Sequence, residues 1–330
     1  MNRMSNLESV LFSNKKKNFL KYNNKENYFE SEDKDKYIIN EGIPNLFDDE
    51  ENEISKIQSS FYNEVKFPNY DDIDDFGSLL DKSSRSTFFR KLDEEIPMFS
   101  KILEAGCGTG QLSLFLSRFK RQIYSIDLSS GSLSLGEKFR KKNNIENLFF
   151  LKMSIFNMFF QKNFFDVIIS NGVLHHTKNA EEAFYELTKY LKKDGYIVIG
   201  LYHKYGRFFT KVKQFLIKYF SDFFKFLDPK TYSNKYSENK NFAWFMDQYK
   251  NPKETTHTFM EVKSWFNKSN IEFVSSIPFS FPGYTLVSEQ IFKKKEVDPN
   301  FKIVIKEMTQ AFSHQQIKEG GFFIMIGKKK

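Results

Sequence analysis

Cysteine is almost absent from this 330-residue chain, in which Cys107 is the one cysteine. A lone cysteine excludes an intrachain disulfide and a cysteine-based zinc site, and it is compatible with a reducing compartment. Long apolar runs are lacking too, because no stretch of about 18 uncharged apolar residues occurs. The N-terminus has no long apolar segment after its positive charges. We therefore expect neither a transmembrane segment nor a secretory signal, and we expect a cytoplasmic protein.

Basic residues outnumber acidic ones by 50 to 42, which gives a net charge of +8. The lysines are scattered in short clusters, and this spread is typical of a solvated surface. The charge permits nucleic acid or an anionic membrane surface as a partner but requires neither. Apolar residues make up 40% of the chain, which is sufficient for a substantial core.

Strand-like and helix-like segments alternate between residues 99 and 202. The apolar runs KILEAG, QIYSIDL, NLFFLKM, FFDVIISNG and YIVIGLY are separated by stretches with helical apolar spacing. This alternation predicts an α/β fold with a parallel sheet and right-handed crossovers.

Changes in composition divide the chain into five segments, of which the first is polar and is predicted to be largely disordered. The segments are an N-terminal tail at 1–53, a helical lid at 54–98, the α/β core at 99–202, a helical substrate-pocket insertion at 203–254, and a C-terminal helix and strand pair at 255–330.

The stretch KILEAGCGTGQLSLFLS, Lys101–Ser117, places three glycines two residues apart between a strand and a helix. Such a loop offers backbone amides and a helix N-terminus to a ligand. The dinucleotide fingerprint requires a third glycine where Gln111 stands, and the G-K-[ST] ending of a P-loop is missing. The pattern present is E-x-G-x-G-x-G, Glu104 to Gly110.

This pattern resembles the first motif of class I S-adenosylmethionine-dependent methyltransferases, and the resemblance extends in the expected order to about Tyr202. Asp127 ends the second strand, where the family's acid accepts hydrogen bonds from both ribose hydroxyls. The third strand ends at LKMSIF, with Ser154 where the family usually has an aspartate near the adenine. The stretch FDVIISNGVLHHT resembles the family's segment beside the transferred methyl, and GGFFIMIG resembles its closing strand.

The resemblance implies a Rossmann-like, seven-stranded, mostly parallel sheet whose last strand is antiparallel, with a helical insertion and an N-terminal extension. It implies S-adenosylmethionine as the cofactor and no metal. Glu104 is expected to bind the methionine ammonium, while Met153 and Ile155 are expected to enclose the adenine. For Cys107, a buried filler is favoured over a reactive thiol. The cofactor-binding residues implied are Glu104, Gly106, Cys107, Gly108, Gly110, Asp127, Leu128, Met153, Ser154, Ile155 and Asn171.

Two histidines, His175 and His176, follow the fourth strand, where the methyl acceptor is expected. Either is a candidate base or substrate anchor, and His175 is preferred of the two. A structural role for both is the alternative that we favour, since His-His is common here in the family across many substrates. Asn171 is the third catalytic candidate, through contact with the substrate or the methionine amine, with turn capping as the alternative.

Aromatic residues outside the core are candidates for the acceptor pocket, with ordinary packing as the alternative for each. Tyr62, Phe67 and Tyr70 precede the core, in a region that often forms a lid in related enzymes. FAWFMDQYKNP crowds four aromatic residues into a short span. The candidate substrate residues are Tyr62, Tyr70, Tyr202, Trp244, Met246 and Tyr249.

Two flanking segments carry further patterns. YIINEGIPNLF, Tyr37–Phe47, resembles the end of a zinc-ribbon-like module that accompanies some methyltransferases, although the cysteines that would hold zinc are missing; a tethering strand is the alternative. FFTKVKQFLIKYFSDFFKFL, Phe208–Leu227, has the pattern of a basic amphipathic helix. Packing on its own domain or on a second subunit is favoured over peripheral membrane contact.

These patterns favour a methyltransferase that acts on a small-molecule acceptor by in-line displacement. An RNA or tRNA methyltransferase is an alternative, suggested by the basic charge, but no RNA-binding module, dense basic stripe or N-P-P-Y-type motif is found, so nucleic acid is not the expected partner. A non-catalytic regulatory protein that binds the cofactor is the other alternative. The acceptor atom and the oligomeric state are left open.

Overall fold

A computed structural model describes residues 3–47, 53–64, 70, 73–220, 242, 245–277, 290–296, 298–309 and 321–330. The N-terminal segment opens with a 3₁₀ helix, Arg3–Leu7, and continues as short antiparallel strands. These are β1 (Phe12–Ser13), β2 (Asn18–Phe19), β3 (Lys21–Asn23), β4 (Tyr28–Glu30), β5 (Lys36–Asn40) and β6 (Ile43–Pro44). β1 pairs with β2, and β3 to β6 form a four-stranded sheet.

The expectation that most of this segment is disordered is wrong. Leu7, Leu11 and Phe29 are buried in one cluster with Phe159 and Phe160 of the α/β core. The amide of Phe12 donates to the carbonyl of Phe159 at 2.9 Å. The few apolar side chains of a polar segment therefore find partners far away in the sequence, and this burial offsets the entropy of ordering the chain.

The central sheet has seven strands in the order β12-β13-β11-β10-β7-β8-β9. Their bounds are β7 (Lys101–Ala105), β8 (Gln122–Asp127), β9 (Leu148–Lys152), β10 (Phe165–Asn171), β11 (Leu191–Tyr202), β12 (Ile271–Ile277) and β13 (Phe322–Lys329). β13 runs antiparallel to both of its neighbours, and the pairs from β11 to β9 are parallel. The predicted fold is confirmed: buried parallel strands read as continuous apolar runs, and these runs were the sequence signal.

Nine helices of the described residues flank the sheets. They are α1 (Glu53–Glu64), α2 (Phe76–Ser84), α3 (Thr87–Glu95), α4 (Gln111–Leu116), α5 (Ser130–Lys142), α6 (Ala180–Tyr190), α7 (Phe208–Phe220), α8 (Phe259–Lys268) and α9 (Asn300–Thr309). Side-chain caps fix several starts; Thr258 and Glu261, for example, form a capping box at α8. No helix in the described part of the chain is long and apolar enough to cross a membrane.

The strand order reverses at β7, because β8 lies on one side of it and β10 on the other. The crevice at the carboxyl ends of these strands is where open α/β sheets bind ligands. Glu104, Asp127 and Asn171 lie at or next to those ends. The C-terminal part of α1 docks there too, since Ser59 Oγ donates to the carbonyl of Leu128 at 3.0 Å.

Candidate active site

The glycine loop between β7 and α4 has a backbone that only glycine adopts without strain. Gly106, Gly108 and Gly110 have φ angles of +78°, +54° and +76°. A Cβ at Gly106 would lie 2.4 Å from the Val173 side chain, and one at Gly110 would lie 2.3 Å from the Phe150 ring. The glycines therefore permit both the left-handed turn and a close approach of neighbouring side chains.

Asp127 ties this loop to the end of β8. Its Oδ2 accepts from the Gly108 amide at 2.8 Å, and its Oδ1 accepts from the Ser129 amide at 2.8 Å. Burial raises the pKa of this carboxyl, while the amide donors act in the opposite direction. Each carboxylate oxygen has a second lone pair, so hydrogen bonds from ribose hydroxyls remain possible.

Glu104 lies beneath the loop in a low-dielectric environment. Burial raises its pKa to about 7, and the negative charge of Asp127 adds to this effect. Ser113 Oγ donates to Glu104 Oε2 and lies 2.5 Å from Ser125 Oγ. A cationic group at this place would favour the ionised carboxylate, so the position suits the methionine ammonium.

The segment after β9 forms the side of the site where the adenine is expected. Ser154 Oγ accepts from the Phe156 amide at 3.2 Å, so the serine stabilises its own turn. Ser154 is buried, with Met153 and Ile155 on either side in the cavity wall. Lys178 Nζ lies 4.4 Å above the Phe156 ring, and both residues line the same cavity.

Asn171 has an unsatisfied polar atom. Its Oδ1 is buried and has no hydrogen-bond partner among the described residues. Gly200 on the neighbouring strand makes room for it, because a Cβ there would lie 2.2 Å from this oxygen. A buried acceptor without a partner costs about 1–3 kcal/mol, so a ligand donor such as an ammonium would be favoured at this site.

These groups border one cavity of about 650 Å³, a size typical of small-molecule sites. S-adenosylmethionine fits the glycine loop, the carboxyl groups of Glu104 and Asp127, and Asn171 Oδ1, which has no hydrogen-bond partner among the described residues. The predicted residues in the cavity wall are Glu104, Gly106, Cys107, Gly108, Asp127, Leu128, Met153, Ser154, Ile155, Asn171, His176, Tyr62 and Tyr202.

Several other predicted residues lie outside that wall. Gly110 belongs to the loop as the N-cap of α4, but it does not line the cavity. Tyr70 packs on Phe139 and donates its hydroxyl proton to the carbonyl of Thr109 at 2.7 Å, so it supports the loop without lining the cavity. Met246 and Tyr249 belong to a π-helical turn, Met246–Lys250, and are also absent from the lining. Trp244 and Phe67 lie outside the described residues.

The two candidate histidines differ in placement, and the cavity lining includes His176 but not His175. His175 is fully buried, stacks 4.1 Å from the Tyr202 ring and has no partner for either ring nitrogen among the described residues. Burial holds its pKa well below the usual value, so it is neutral. His176 is the histidine that lines the cavity.

The tautomer of His176 follows from its partner. Its Nδ1 lies 2.6 Å from the carbonyl of Lys253, an acceptor, so Nδ1 must carry the proton. A neutral imidazole protonated at Nδ1 has its lone pair on Nε2. His176 can therefore accept a proton through Nε2 without leaving its place.

Tyr202 and Gln248 line the same cavity as His176. Gln248 Nε2 donates to Tyr202 Oη at 2.9 Å, and its Oε1 accepts from Arg207 Nη1 at 2.8 Å. Arg207 is fully buried, lies 3.4 Å above the Tyr202 ring and donates to both Glu254 oxygens at 2.9 and 2.6 Å. Because arginine only donates, the orientation of the Gln248 amide is fixed.

The sequence prediction missed several lining residues, among them Gln58 and Ser59 of α1, Phe156, Gln248 and Phe322. Gln248 is a polar residue among aromatics in the sequence. Its hydrogen bond with Arg207 spans 41 positions, so no local pattern predicts it. No local sequence pattern pointed to Gln58. Its Nε2 donates at 3.0 Å to Oδ1 of Asn251, which lies 193 positions later in the chain. Among the residues that the structure describes, no group of three or more candidate ligands could hold a metal ion.

Comparison with known proteins gives matches in the same region. Residues 100–257 match a family model described as a methyltransferase domain. A ubiquinone biosynthesis O-methyltransferase of Pelagibacter ubique is 30% identical over 104 residues, which cover 32% of this chain and 42% of that protein. The protein of the same name from Rickettsia conorii is 25% identical over 162 residues, which cover 45% of this chain and 55% of that protein.

Among solved structures, PKMT2 from Rickettsia typhi in complex with AdoHcy matches with a TM-score of 0.53 at 17% identity. The match covers 74% of this chain and 53% of that one, and at this identity it shows a shared fold alone. The chain spans about half the length of the curated relatives it matches.

Proposed function

We propose that this chain is an S-adenosylmethionine-dependent methyltransferase and that it methylates a hydroxyl group of a small-molecule acceptor. Its residues 100–257 match the methyltransferase-domain model. The proposal depends on one observation: the glycine loop and Asp127 line the same cavity as His176, Tyr202 and Gln248. The names of two matched relatives, both O-methyltransferases, support an oxygen nucleophile.

The chemistry of the cavity wall suits the cofactor at one end and the acceptor at the other. Gly108, Asp127 and Glu104 would hold the sugar and the amino-acid end of the cofactor, and Ser154 with its neighbours would enclose the adenine. When bound, the cofactor supplies an electrophilic methyl group on a sulfonium, which is already a good leaving group. The remaining wall, near His176, would receive the acceptor.

His176 is the proposed general base. Its Nε2 lone pair would take the proton of the acceptor hydroxyl as the oxygen attacks, while Nδ1–H stays bonded to the carbonyl of Lys253. Gln248 and Tyr202 would align the acceptor, because their orientations are set by Arg207. Tyr202 and Gln248 are buried and carry no formal charge, and Arg207 behind them is paired with Glu254. This favours a small, neutral acceptor over a polyanion such as RNA.

The experiment uses the full chain, labelled S-adenosylmethionine and a native extract split into metabolite and RNA fractions. Mass spectrometry identifies what gains a methyl. Asp127→Ala should weaken cofactor binding in calorimetry by tenfold or more, because hydrogen bonds to a charged group are worth roughly 1.5–3 kcal/mol. His176→Ala should leave cofactor binding unchanged and slow transfer by about 10²–10⁴-fold.

Asp81→Ala is the matched control, because Asp81 is an exposed acid on α2. It should change neither binding nor transfer. Methylation confined to the RNA fraction would refute the small-molecule acceptor, and cofactor binding without any transfer would favour a regulatory protein.

A further inference from the structure

Helix α9 turns an apolar stripe toward solvent. Phe301, Val304, Ile305 and Met308 are 64%, 42%, 58% and 55% exposed, at the spacing i, i+3, i+4, i+7 of one helical face. The opposite face of α9 packs against the rest of the protein, because Ile303 is buried in the core. An amphipathic helix whose apolar face remains outside indicates a surface that something else covers.

Helix α7 repeats this arrangement. Phe208 and Phe215 are both 56% exposed and Val212 is 42% exposed, again on one helical face. The stretch that leads into α7 is tied to α9, because His203 Nε2 lies 3.0 Å from Glu307 Oε1. The start of α7 is therefore close to the buried side of α9, and we call the exposed apolar residues of the two helices the α7/α9 face.

The exposed charged residues within α7 and α9 are lysines, while Asp298, just before α9, is paired with Lys306. The sequence of α7 contains no acidic residue, and the one acid of α9, Glu307, is buried against His203 and the Phe259 amide. Lys302 and Lys211 are exposed on these helices. Apolar side chains next to exposed lysines are the pattern of helices that lie in an anionic membrane interface.

We infer that the α7/α9 face binds the surface of a membrane that contains anionic lipids. A second copy of the chain fits less well, because a twofold contact would bring the same lysines together at short range. The face also lies next to the acceptor wall: Arg207, which precedes α7, stacks on Tyr202, and His203 follows Tyr202 in the chain. Membrane binding would therefore bring the acceptor wall close to the lipid surface.

The test uses the full chain and sedimentation with vesicles of phosphatidylcholine, alone or mixed with phosphatidylglycerol. We expect binding to the mixed vesicles that weakens at high salt, as screening requires. Phe301→Ser and Ile305→Ser should each reduce the partition coefficient by about tenfold, given the free energy of burying one large apolar side chain. Ile38→Ser, at a similarly exposed apolar residue on β5, is the control and should bind as the wild type does.

The charge contribution is tested separately by Lys302→Glu against Lys21→Glu, an exposed lysine on β3. Both variants change the net charge equally, but only Lys302→Glu should lose roughly fivefold or more in binding to phosphatidylglycerol vesicles. Unchanged thermal unfolding shows that each variant folds.

Equal binding of the face variants and their controls would overturn the inference, as would an absence of vesicle binding. Self-association of the wild type that Phe301→Ser abolishes would overturn it in favour of a dimer. None of these measurements requires methyl transfer, so they stand apart from the proposed activity.

Discussion

Replacing Gly110 with alanine tests whether the loop requires glycine for the reasons given. Gly110 is the N-cap of α4, with φ +76° and ψ 24°. Its amide donates to the Cys107 carbonyl at 2.9 Å, and its carbonyl accepts from the Leu114 amide at 2.9 Å. The backbone is therefore held from both sides and cannot easily change its φ angle.

Two costs add for Gly110→Ala. The left-handed conformation costs a residue with a Cβ roughly 1–2 kcal/mol. The new methyl would lie 2.3 Å from Phe150 Cε1, and overpacking a core in this way costs about 1–3 kcal/mol. We expect a loss of about 2–5 kcal/mol in the free energy of unfolding, which is a large part of a typical total of about 5–15 kcal/mol.

Gly77→Ala is the matched control. Gly77 lies within α2, and a Cβ there would meet nothing closer than Asp75 Oδ1 at 3.4 Å. Alanine is a better helix former, so this variant should be unchanged or more stable by up to about 1 kcal/mol. Urea unfolding of both variants and the wild type gives the comparison. If Gly110→Ala were within about 0.5 kcal/mol of the wild type, the steric argument for the loop would be wrong.

Two further variants test buried charges. For Glu104, a folded-state pKa of about 7 against an ordinary 4.5 means that the folded protein holds this proton more tightly than the unfolded chain. Stability should therefore fall as pH rises between these values, and Glu104→Gln should remove that part of the slope in unfolding measurements; equal slopes would contradict the assignment. Arg207→Met should lower the free energy of unfolding by about 3–5 kcal/mol, because it leaves Glu254 buried without its cation. Adding Glu254→Met to this variant should recover much of that loss in urea unfolding. A double variant no more stable than the single one would show that the charge is not the cause.

The sheet and the cofactor half of the site could be predicted because their signals are local. Each buried parallel strand is a short apolar run, and the turn after β7 must be glycine-rich for steric reasons. Asp127 could be placed because it ends such a run. The carboxyl ends of neighbouring parallel strands meet at one edge, so strand order alone brings these residues together.

The rest depended on contacts between residues distant in the sequence. The N-terminal segment is polar on average, and its order depends on Leu7 and Phe29 reaching a cluster in the core. The orientations of His175 and His176 follow from a single 3₁₀ turn, Leu174–His176, whose direction the sequence pattern does not specify. The pairing of Arg207 with Glu254 crosses 47 positions. Local periodicity carries no information about any of these contacts.

The distribution of charge in the cavity connects these observations. In the described part of the chain, the hydrogen-bond donors to Glu104 and Asp127 are all neutral: Ser113 Oγ, Gly108 N and Ser129 N. Burial raises the pKa of both carboxyl groups, and the charge of Asp127 also raises the pKa of Glu104. Without a cation beside it, this pair lowers the stability of the protein on its own.

A ligand with a positively charged ammonium and sulfonium offsets that cost, whereas a neutral ligand does not. The opposite wall, at His176 and Tyr202, has no carboxylate among these residues and can accept or donate single hydrogen bonds. The cationic molecule should therefore bind at the carboxylates and the uncharged acceptor at the histidine. Under the proposed function, this asymmetry would determine which end of the cavity gives the methyl and which receives it.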